Sequence, residues 1–209
     1  LGELDTYILG GQWGVQLEAR PGLPYGVLVG RGFERDPSGE VIYENGLPVI
    51  DQTPKVLGDI APDWTGGVNF NLRYKNFTLS SLVDAKIGGE VHSMTYAWGR
   101  YAGVLEETLI GRETGVVGNG VQSDGNGGYI PNNVTVDAKI FNQSSYNNSV
   151  EESSIFDASY VKLISVSIRY SIPDKLLENA FIDVVKLSLV GRNLAVLYRE
   201  TPHIDPETG

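Results

Sequence analysis

Few residues in this sequence have the types and spacing that catalysis requires. The two histidines, His92 and His203, lie far apart and have no neighbouring set of ligands. Cysteine is absent, which excludes disulfides, thiolate zinc sites and cysteine nucleophiles. The sequence also has no serine nucleophile elbow, Walker loop or zinc motif. We therefore predict a protein that is not an enzyme, with no catalytic residue, no metal and no cofactor.

The acidic residues do not form a recognisable site either. Glu106-Glu107 and Glu151-Glu152 lie in loop-like sequence, where we expect them to be solvated rather than paired across a glycosidic bond. Asp124 and Asn126 superficially resemble a calcium loop, but Thr135 stands where such a loop has its bidentate Glu. A Gly/Asn turn is the preferred interpretation, although the sequence leaves calcium binding at 124–135 open.

Aromatic residues are the better candidates for ligand contact. Between Val91 and Ile110 the apolar residues recur every three or four positions, which predicts a helix carrying Tyr96, Trp98 and Tyr101. Such rings could stack on sugars or pack against a partner protein. The alternative is that they only pack the helix against the rest of the protein.

Composition narrows the class of protein. The 209 residues carry a formal charge of −10, which argues against a nucleic-acid partner because no basic stripe is available for phosphates. Mean hydropathy is −0.12. No stretch approaches the roughly 18 uninterrupted apolar residues of a membrane helix. Any membrane role must therefore come from strands.

A long hairpin between Gly67 and Gly88 is the strongest structural pattern. Apolar and polar residues alternate on both sides of the two-residue turn Lys75-Asn76, so one face is apolar and the other polar. The apolar positions are Val68, Phe70, Leu72, Tyr74, Phe77, Leu79, Val83, Ala85 and Ile87. The polar face includes Asn69, Asn71, Arg73, Asp84 and Lys86.

A second strand pair is predicted at Ala158–Ile172 and Phe181–Leu194, separated by Pro173. Ser165, Ser167 and Arg169 fall on the polar face of the first of these strands. Lys162 falls among its apolar residues, where it could snorkel to a membrane interface. Near the turns lie the aromatic residues that an interfacial girdle would need, namely Tyr74, Phe77, Tyr170 and Phe181.

The remaining segments are less regular. Tyr25–Glu34 predicts a strand, Asp36–Gly39 a type I turn, and 54–62 an irregular stretch. We assign no structure to residues 1–22. About 70 residues separate Gly88 from Asp157, and we interpret them as one long functional loop with the helix near its start and a polar end at 137–157. Both ends suggest a piece of a longer protein, and we expect no signal peptide at the N-terminus of this sequence.

Long strands, a tight turn and a long excursion are typical of a transmembrane β-barrel wall, although a soluble sandwich could show the same alternation. Four segments of the sequence favour the barrel over the sandwich. In their residues and their order along the chain they resemble the C-terminal barrel of SusC/RagA-like TonB-dependent outer-membrane transporters of Bacteroidetes. The segments are Pro62–Gly67, Tyr74–Ser80 with Asp84 and Gly88-Gly89, Ala158–Pro173, and Leu187–Leu194 followed by Asp205–Glu207.

The resemblance implies an all-β fold: antiparallel strands of a large transmembrane barrel, present only in part, with one long extracellular loop containing a short helix. The plug, the TonB-contact segment and the closing strand of that family are not in this sequence. Within it we expect a hairpin or meander at 1–62, a hairpin at 63–88, the loop at 89–157, and a hairpin with its following loop at 158–209.

The implied function is import of glycans or oligopeptides across the outer membrane. The implied partners are a SusD-like surface lipoprotein and the TonB complex, the latter acting through the missing N-terminal part. Candidate substrate-binding residues are Tyr96, Trp98, Tyr101, Asn69, Asn71, Arg73, Asp84 and Arg169. The rival hypothesis is a secreted soluble β-sandwich that binds carbohydrate, with Trp64 and Trp98 in its platform.

Overall fold

A computed structural model describes residues 5–178 and 181–207. Antiparallel strands dominate, and two short α-helices lie between them. The helices are α1 (Met94–Ala102) and α2 (Ala138–Asn147). The strands are β1 (Tyr7–Gln12), β2 (Val15–Ala19), β3 (Val27–Phe33), β4 (Tyr43–Glu44), β5 (Leu47–Pro48), β6 (Ile50–Asp59), β7 (Trp64–Tyr74), β8 (Phe77–Ile87), β9 (Glu90–His92), β10 (Val116–Val117), β11 (Val121–Ser123), β12 (Tyr129–Pro131), β13 (Thr135–Val136), β14 (Ile155–Asp157), β15 (Tyr160–Ser171) and β16 (Lys186–Arg199).

The chain divides into two compact units. The first unit comprises Leu1–Ala61, Gly89–Asp157 and Thr201–Gly209, and the second comprises Pro62–Gly88 and Ala158–Glu200. Both helices lie in the first unit. Within the described part of the chain, no helix combines the length and the apolar character needed to cross a membrane.

The second unit is one antiparallel sheet in the order β16-β15-β8-β7. The hairpin predicted from alternation is present, with Tyr74 opposite Phe77 across the turn Lys75-Asn76. Lys75 takes a positive φ of 52°, which allows the chain to reverse within two residues. Pairing of β8 with β15 and of β15 with β16 continues the same register across the sheet.

This register puts apolar side chains in rows. Leu72, Leu79, Ile168 and Leu189 lie side by side across the four strands, and Tyr74, Phe77, Tyr170 and Leu187 form the next row. The face stays open to solvent: half of the Phe70 surface and 75% of Leu189 are accessible. On the other face lie Asn71, Ser80, Ser167 and Val190 in one row.

Two details of the second unit differ from the sequence prediction. A β-bulge between Leu163 and Ser165 shifts the alternation, so Lys162 pairs with Asp84 on the polar face instead of lying among apolar residues. The last strand begins at Lys186 rather than at Phe181, and it continues to Arg199. Phe181 precedes the strand and is 97% exposed, because it has no pairing partner to hold it in the sheet.

The first unit contains a second antiparallel sheet, in the order β1-β2-β3-β6. Val27, Leu28 and Val29 of β3 are buried in it. The irregular stretch predicted at 54–62 is wrong, because β6 extends through Pro54 to Asp59. The proline is tolerated since β6 is an edge strand and Pro54 falls at a register shift opposite Gly30 and Gly32.

Capping explains both helices. Ser93 accepts a hydrogen bond from the Tyr96 amide at 3.1 Å and starts α1. Gly103, with φ of 71°, ends α1 well before the predicted limit at Ile110. A 3-10 helix, Glu106–Leu109, follows. The polar stretch 137–157 contains α2, which the apolar pattern did not predict; Asp137 caps it by accepting from two backbone amides.

The Gly/Asn-rich segment forms short strand pairs, β10 with β13 and β11 with β12. Asp124 accepts hydrogen bonds from the amides of Asn126 (2.7 Å) and Gly128 (2.8 Å), which lowers the pKa of its carboxyl. Its carboxylate therefore has a turn-forming role. Among the residues that the structure describes, no three acidic or histidine side chains are grouped to hold a metal ion.

Candidate functional site

The main candidate site is a cleft of about 420 Å³ in the first unit. Six segments line it: the β1–β2 turn, β3, β9, the two helices, and a second 3-10 helix at Glu151–Ser154. This size falls within the range of small-ligand pockets, roughly 300–1,000 Å³. The lining residues are Trp13, Gly14, Arg31, His92, Met94, Tyr96, Ala97, Arg100, Asn142, Ser145, Tyr146, Ser149, Val150, Glu151, Ser153 and Ser154.

Two carboxylates fasten one wall of the cleft. Strand β2 pairs with β3 only as far as Val29, so the next amides of β3 lack a strand partner on that side. Glu151 accepts from the Arg31 amide at 2.8 Å, and Glu152 accepts from the Phe33 amide at 2.9 Å. The expectation that these glutamates are solvated is wrong. Glu151 is only 4% exposed, because backbone donors compensate for its burial.

Glu152 also pairs with two cations. Arg35 contacts one carboxylate oxygen, and the Lys55 ammonium lies 3.5 Å from the other. Burial raises the pKa of Glu152, but the hydrogen bonds from Arg35 and Phe33 and the nearby charges outweigh it and hold the pKa below the ordinary value.

We expect the contacts of the Glu152 carboxylate with β3 and Arg35 to weaken in acid. Because the folded state lowers the pKa of Glu152, its stabilising contribution is complete above the ordinary pKa of 4.5 and is lost as the pH falls below that value, through the folded pKa. Hydrogen exchange of β3, corrected for intrinsic rates, should therefore stay constant from pH 7 to about 5 and accelerate as the pH falls below 4.5. Glu152→Gln should flatten this pH dependence; an unchanged profile would contradict the assignment.

Tyr96 is the best-buried of the candidate aromatic residues. It is 7% exposed, its hydroxyl donates to Glu107, and its ring packs edge-on against Phe156 at 4.7 Å. Burial and the Glu107 carboxylate raise the pKa of the Tyr96 hydroxyl. His203 lies 3.6 Å from Glu107, so this glutamate is also engaged rather than solvated. Tyr96 thus packs the helix and also forms part of the cleft lining, and its role in substrate binding stays a prediction.

Trp98 and Tyr101 belong to an exposed group of rings, which we call the aromatic rim: Trp13, Trp98, Tyr101 and Tyr146. Trp13 packs edge-on against Trp98 at 5.6 Å, and Tyr101 lies 4.8 Å from Tyr146. The Trp98 indole donates to the Tyr146 hydroxyl at 3.2 Å. Trp13 and Tyr146 also line the cleft.

The other candidates lie in the second unit. Asn69, Asn71, Arg73, Asp84 and Arg169 all occupy the polar face of its sheet. Asn71 donates to Asn69 at 2.9 Å and accepts from Ser80 at 2.6 Å. Asp84 accepts from the Tyr160 hydroxyl at 3.0 Å. These residues share the hydrophilic face with Leu82 and Val190, and their role in substrate binding stays a prediction.

Sequence reasoning missed Trp13, Arg31, Arg100, Asn142 and Tyr146. Trp13 and Gly14 form the two-residue tip of the β1–β2 hairpin with φ of 49° and 93°, and only the glycine, which favours positive φ, could have indicated this turn. Asp137 could have indicated α2 and with it Asn142 and Tyr146. No local pattern predicts that Arg31 and Arg100, 69 positions apart in the chain, line one cleft.

Comparison with known proteins agrees with the fold and the resemblance. No family model matches the chain. A curated protein named TonB-dependent receptor P3, from Formosa agariphila, is 29% identical over 178 residues, which cover 83% of this chain and 16% of that protein. The chain therefore spans about one-sixth of the length of this relative.

Solved structures of the RagAB peptide importer share the fold. The closed-closed state matches with a TM-score of 0.59 at 16% identity, covering 99% of this chain and 23% of the other. The open-open state matches with a TM-score of 0.57 at 15% identity, covering 99% and 22%. The resemblance to SusC/RagA-like TonB-dependent transporters is confirmed, as is the predicted class of antiparallel strands from part of a large barrel.

Proposed function

We propose that this chain is part of an outer-membrane TonB-dependent importer that binds and takes up glycans or oligopeptides. In this proposal 63–88 and 158–209 contribute barrel wall, 1–62 contributes a hairpin and meander, and 89–157 is the extracellular loop. A SusD-like lipoprotein would cover the substrate, and the TonB complex would supply energy through a part of the protein outside this sequence. The protein binds and releases its substrate by a gated conformational change and performs no catalysis.

The observation that carries the proposal is the two-sided sheet of the second unit. Its apolar rows are open, although soluble proteins rarely leave a large contiguous apolar surface uncovered. Its other face carries amides, hydroxyls and paired charges. Such a sheet suits a barrel wall, in which the apolar face contacts hydrocarbon and the polar face contacts water. A soluble sandwich would instead cover the apolar face with a second sheet.

The aromatic residues support the same orientation. Tyr74, Phe77 and Tyr170 lie in one row beside the Lys75-Asn76 turn, and the Phe77 and Tyr170 rings are 4.7 Å apart. Tyrosine rings favour the membrane–water interface because they are apolar with a polar tip, which applies to Tyr74 and Tyr170. The relative named as a receptor and the importers of similar fold support uptake rather than enzymatic function.

Fractionation combined with uptake tests the proposal. We expect the intact protein that carries this chain to stay with the outer membrane after a carbonate wash. Uptake of labelled oligosaccharides or oligopeptides should fall to the level of a strain without the protein when the TonB-type energising protein is deleted. Recovery of the intact protein from the medium, or uptake that needs no energy coupling, would refute the proposal and favour a secreted binding module.

A further inference from the structure

The two arginines of the cleft differ from the other arginines of the first unit. Arg20 pairs with Glu18, Arg35 pairs with Glu152, and Arg112 donates to backbone carbonyls. Among residues 5–178 and 181–207, no carboxylate forms an ion pair with the guanidinium of Arg31 or Arg100. Both therefore have charged donors available to a ligand in the cleft.

Local contacts hold Arg100 in place without an ion pair. Its Nε atom donates to the Asn142 side-chain oxygen at 3.3 Å, and its guanidinium lies 5.8 Å from the centre of the Phe141 ring. Glu151 is the one carboxylate among the described residues that line the cleft, and it accepts from the backbone amide of Arg31. Two cations against one engaged anion leave the cleft with a net positive charge, although the whole chain is acidic.

The rest of the lining suits hydroxyl groups and a flat ring. Asn142, Ser145, Ser149 and Ser153 supply short donors and acceptors along the cleft. The Nδ1 atom of His92 is buried there without a hydrogen-bond partner among the described residues. Trp13 is 62% exposed where it lines the cleft and presents an aromatic surface, against which the C–H face of a pyranose ring can stack.

The same wall disfavours a peptide. An extended peptide would bind by adding a strand to a free sheet edge. At the cleft the edge of β3 is closed, because the amides of Arg31 and Phe33 already donate to Glu151 and Glu152. With strand addition excluded, the cleft would recognise a ligand through its side chains, which suit a polar ligand with an acidic group.

We propose that this cleft binds an acidic saccharide, with Arg31 and Arg100 holding its carboxylate or sulfate group and Trp13 stacking on a sugar ring. The proposal rests on the proposed function for delivery of the ligand and narrows its substrate class. Binding itself requires no energy coupling, so a titration can fail while uptake succeeds, and the reverse.

The test is calorimetric titration of the intact protein, purified in detergent. The probes are trigalacturonate with its methyl ester, and a sulfated carrageenan tetrasaccharide with its desulfated form. We expect at least one acidic probe to bind about tenfold or more tightly than its neutral counterpart, since charged hydrogen bonds are lost with the charge. Arg31→Gln should weaken that binding about tenfold, and Trp13→Ala should weaken binding of the acidic and the neutral form alike.

Lys139→Gln is the matched control. It removes one positive charge from α2, but Lys139 is exposed and does not line the cleft, so acidic binding should be unchanged. Arg31→Gln is preferred over Arg100→Gln because Arg100 would lose its contacts with Asn142 and Phe141 as well as its charge, and circular dichroism of each variant checks its folding.

Three results would overturn the inference. The first is equal affinity for acidic and neutral saccharides, and the second is no binding of either acidic saccharide at millimolar concentration. The third is that triglutamate binds as tightly as trigalacturonate with the same dependence on Arg31, which would assign the cleft to acidic peptides.

Discussion

Phe70→Arg should prevent stable assembly of the intact protein in the outer membrane, whereas Asn71→Arg should be tolerated. The two residues are neighbours on β7 but point to opposite faces of the sheet, so the two variants place the same charge on opposite surfaces. Phe70 lies near the middle of the strand, on the exposed apolar face. An arginine at the lipid-facing midplane costs about 2–4 kcal/mol, and arginine in a water-filled lumen costs little.

Two measurements follow this pair of variants. The assembled fraction is read from outer-membrane fractionation and from the heat-dependent mobility shift of folded barrels on a gel. The free energy of unfolding in lipid vesicles should fall by about 2–4 kcal/mol for Phe70→Arg and change by less than about 1 kcal/mol for Asn71→Arg. Equal effects of both substitutions would mean that neither face contacts lipid, and the proposed function would lose its main support.

The second large effect is expected at Glu151. Glu151→Leu removes the acceptor of the Arg31 amide and leaves a donor unpaired beside the cleft. A hydrogen bond to a charged group contributes about 1.5–3 kcal/mol, so local opening of β3 and of the 3-10 helix at Glu151–Ser154 should become about 10- to 100-fold more frequent. Hydrogen exchange of peptides covering Val27–Phe33 and Glu151–Asp157 measures this change directly.

Glu113→Leu is the control for that experiment. Glu113 is exposed and makes no hydrogen bond or ion pair within residues 5–178 and 181–207, so exchange in both peptides should stay unchanged. Glu151→Gln keeps an acceptor of the same shape and should fall between the two. If hydrogen exchange in the Glu151→Leu variant matched that of the native protein, the Glu151 carboxylate would not stabilise β3, and the prediction would be wrong.

Much of the second unit follows from local sequence. Alternation in β7 and β8 predicted which side chains share a face, and the two-residue turn between them fixed the register. Such features depend on neighbouring residues only, because side chains on a strand alternate with a period of two. The bulge near Leu163 is the exception: one extra residue exchanged the faces of Lys162 and Leu163 without a distinctive sequence signal.

The first unit shows the opposite balance. The Ser- and Asn-rich sequence did not indicate α2, because this helix has no clear apolar stripe. An N-cap and tertiary packing stabilise it instead. Glutamates that read as solvated proved to bind the edge of β3, a contact between positions 120 residues apart. Burial of such a carboxylate depends on donors that local sequence does not reveal.

Local sequence was enough to predict the strands of the sheet in the second unit, its apolar and polar faces and its likeness to the TonB-dependent transporters, because each depends on residues close together in the chain. That Trp13, Arg31, Arg100 and Tyr146 line one cleft became evident only from the three-dimensional structure. These residues come from a hairpin turn, a strand and two helices, and their proximity is set by long-range packing. Chain folding over more than 100 residues, rather than any local pattern, creates the candidate site.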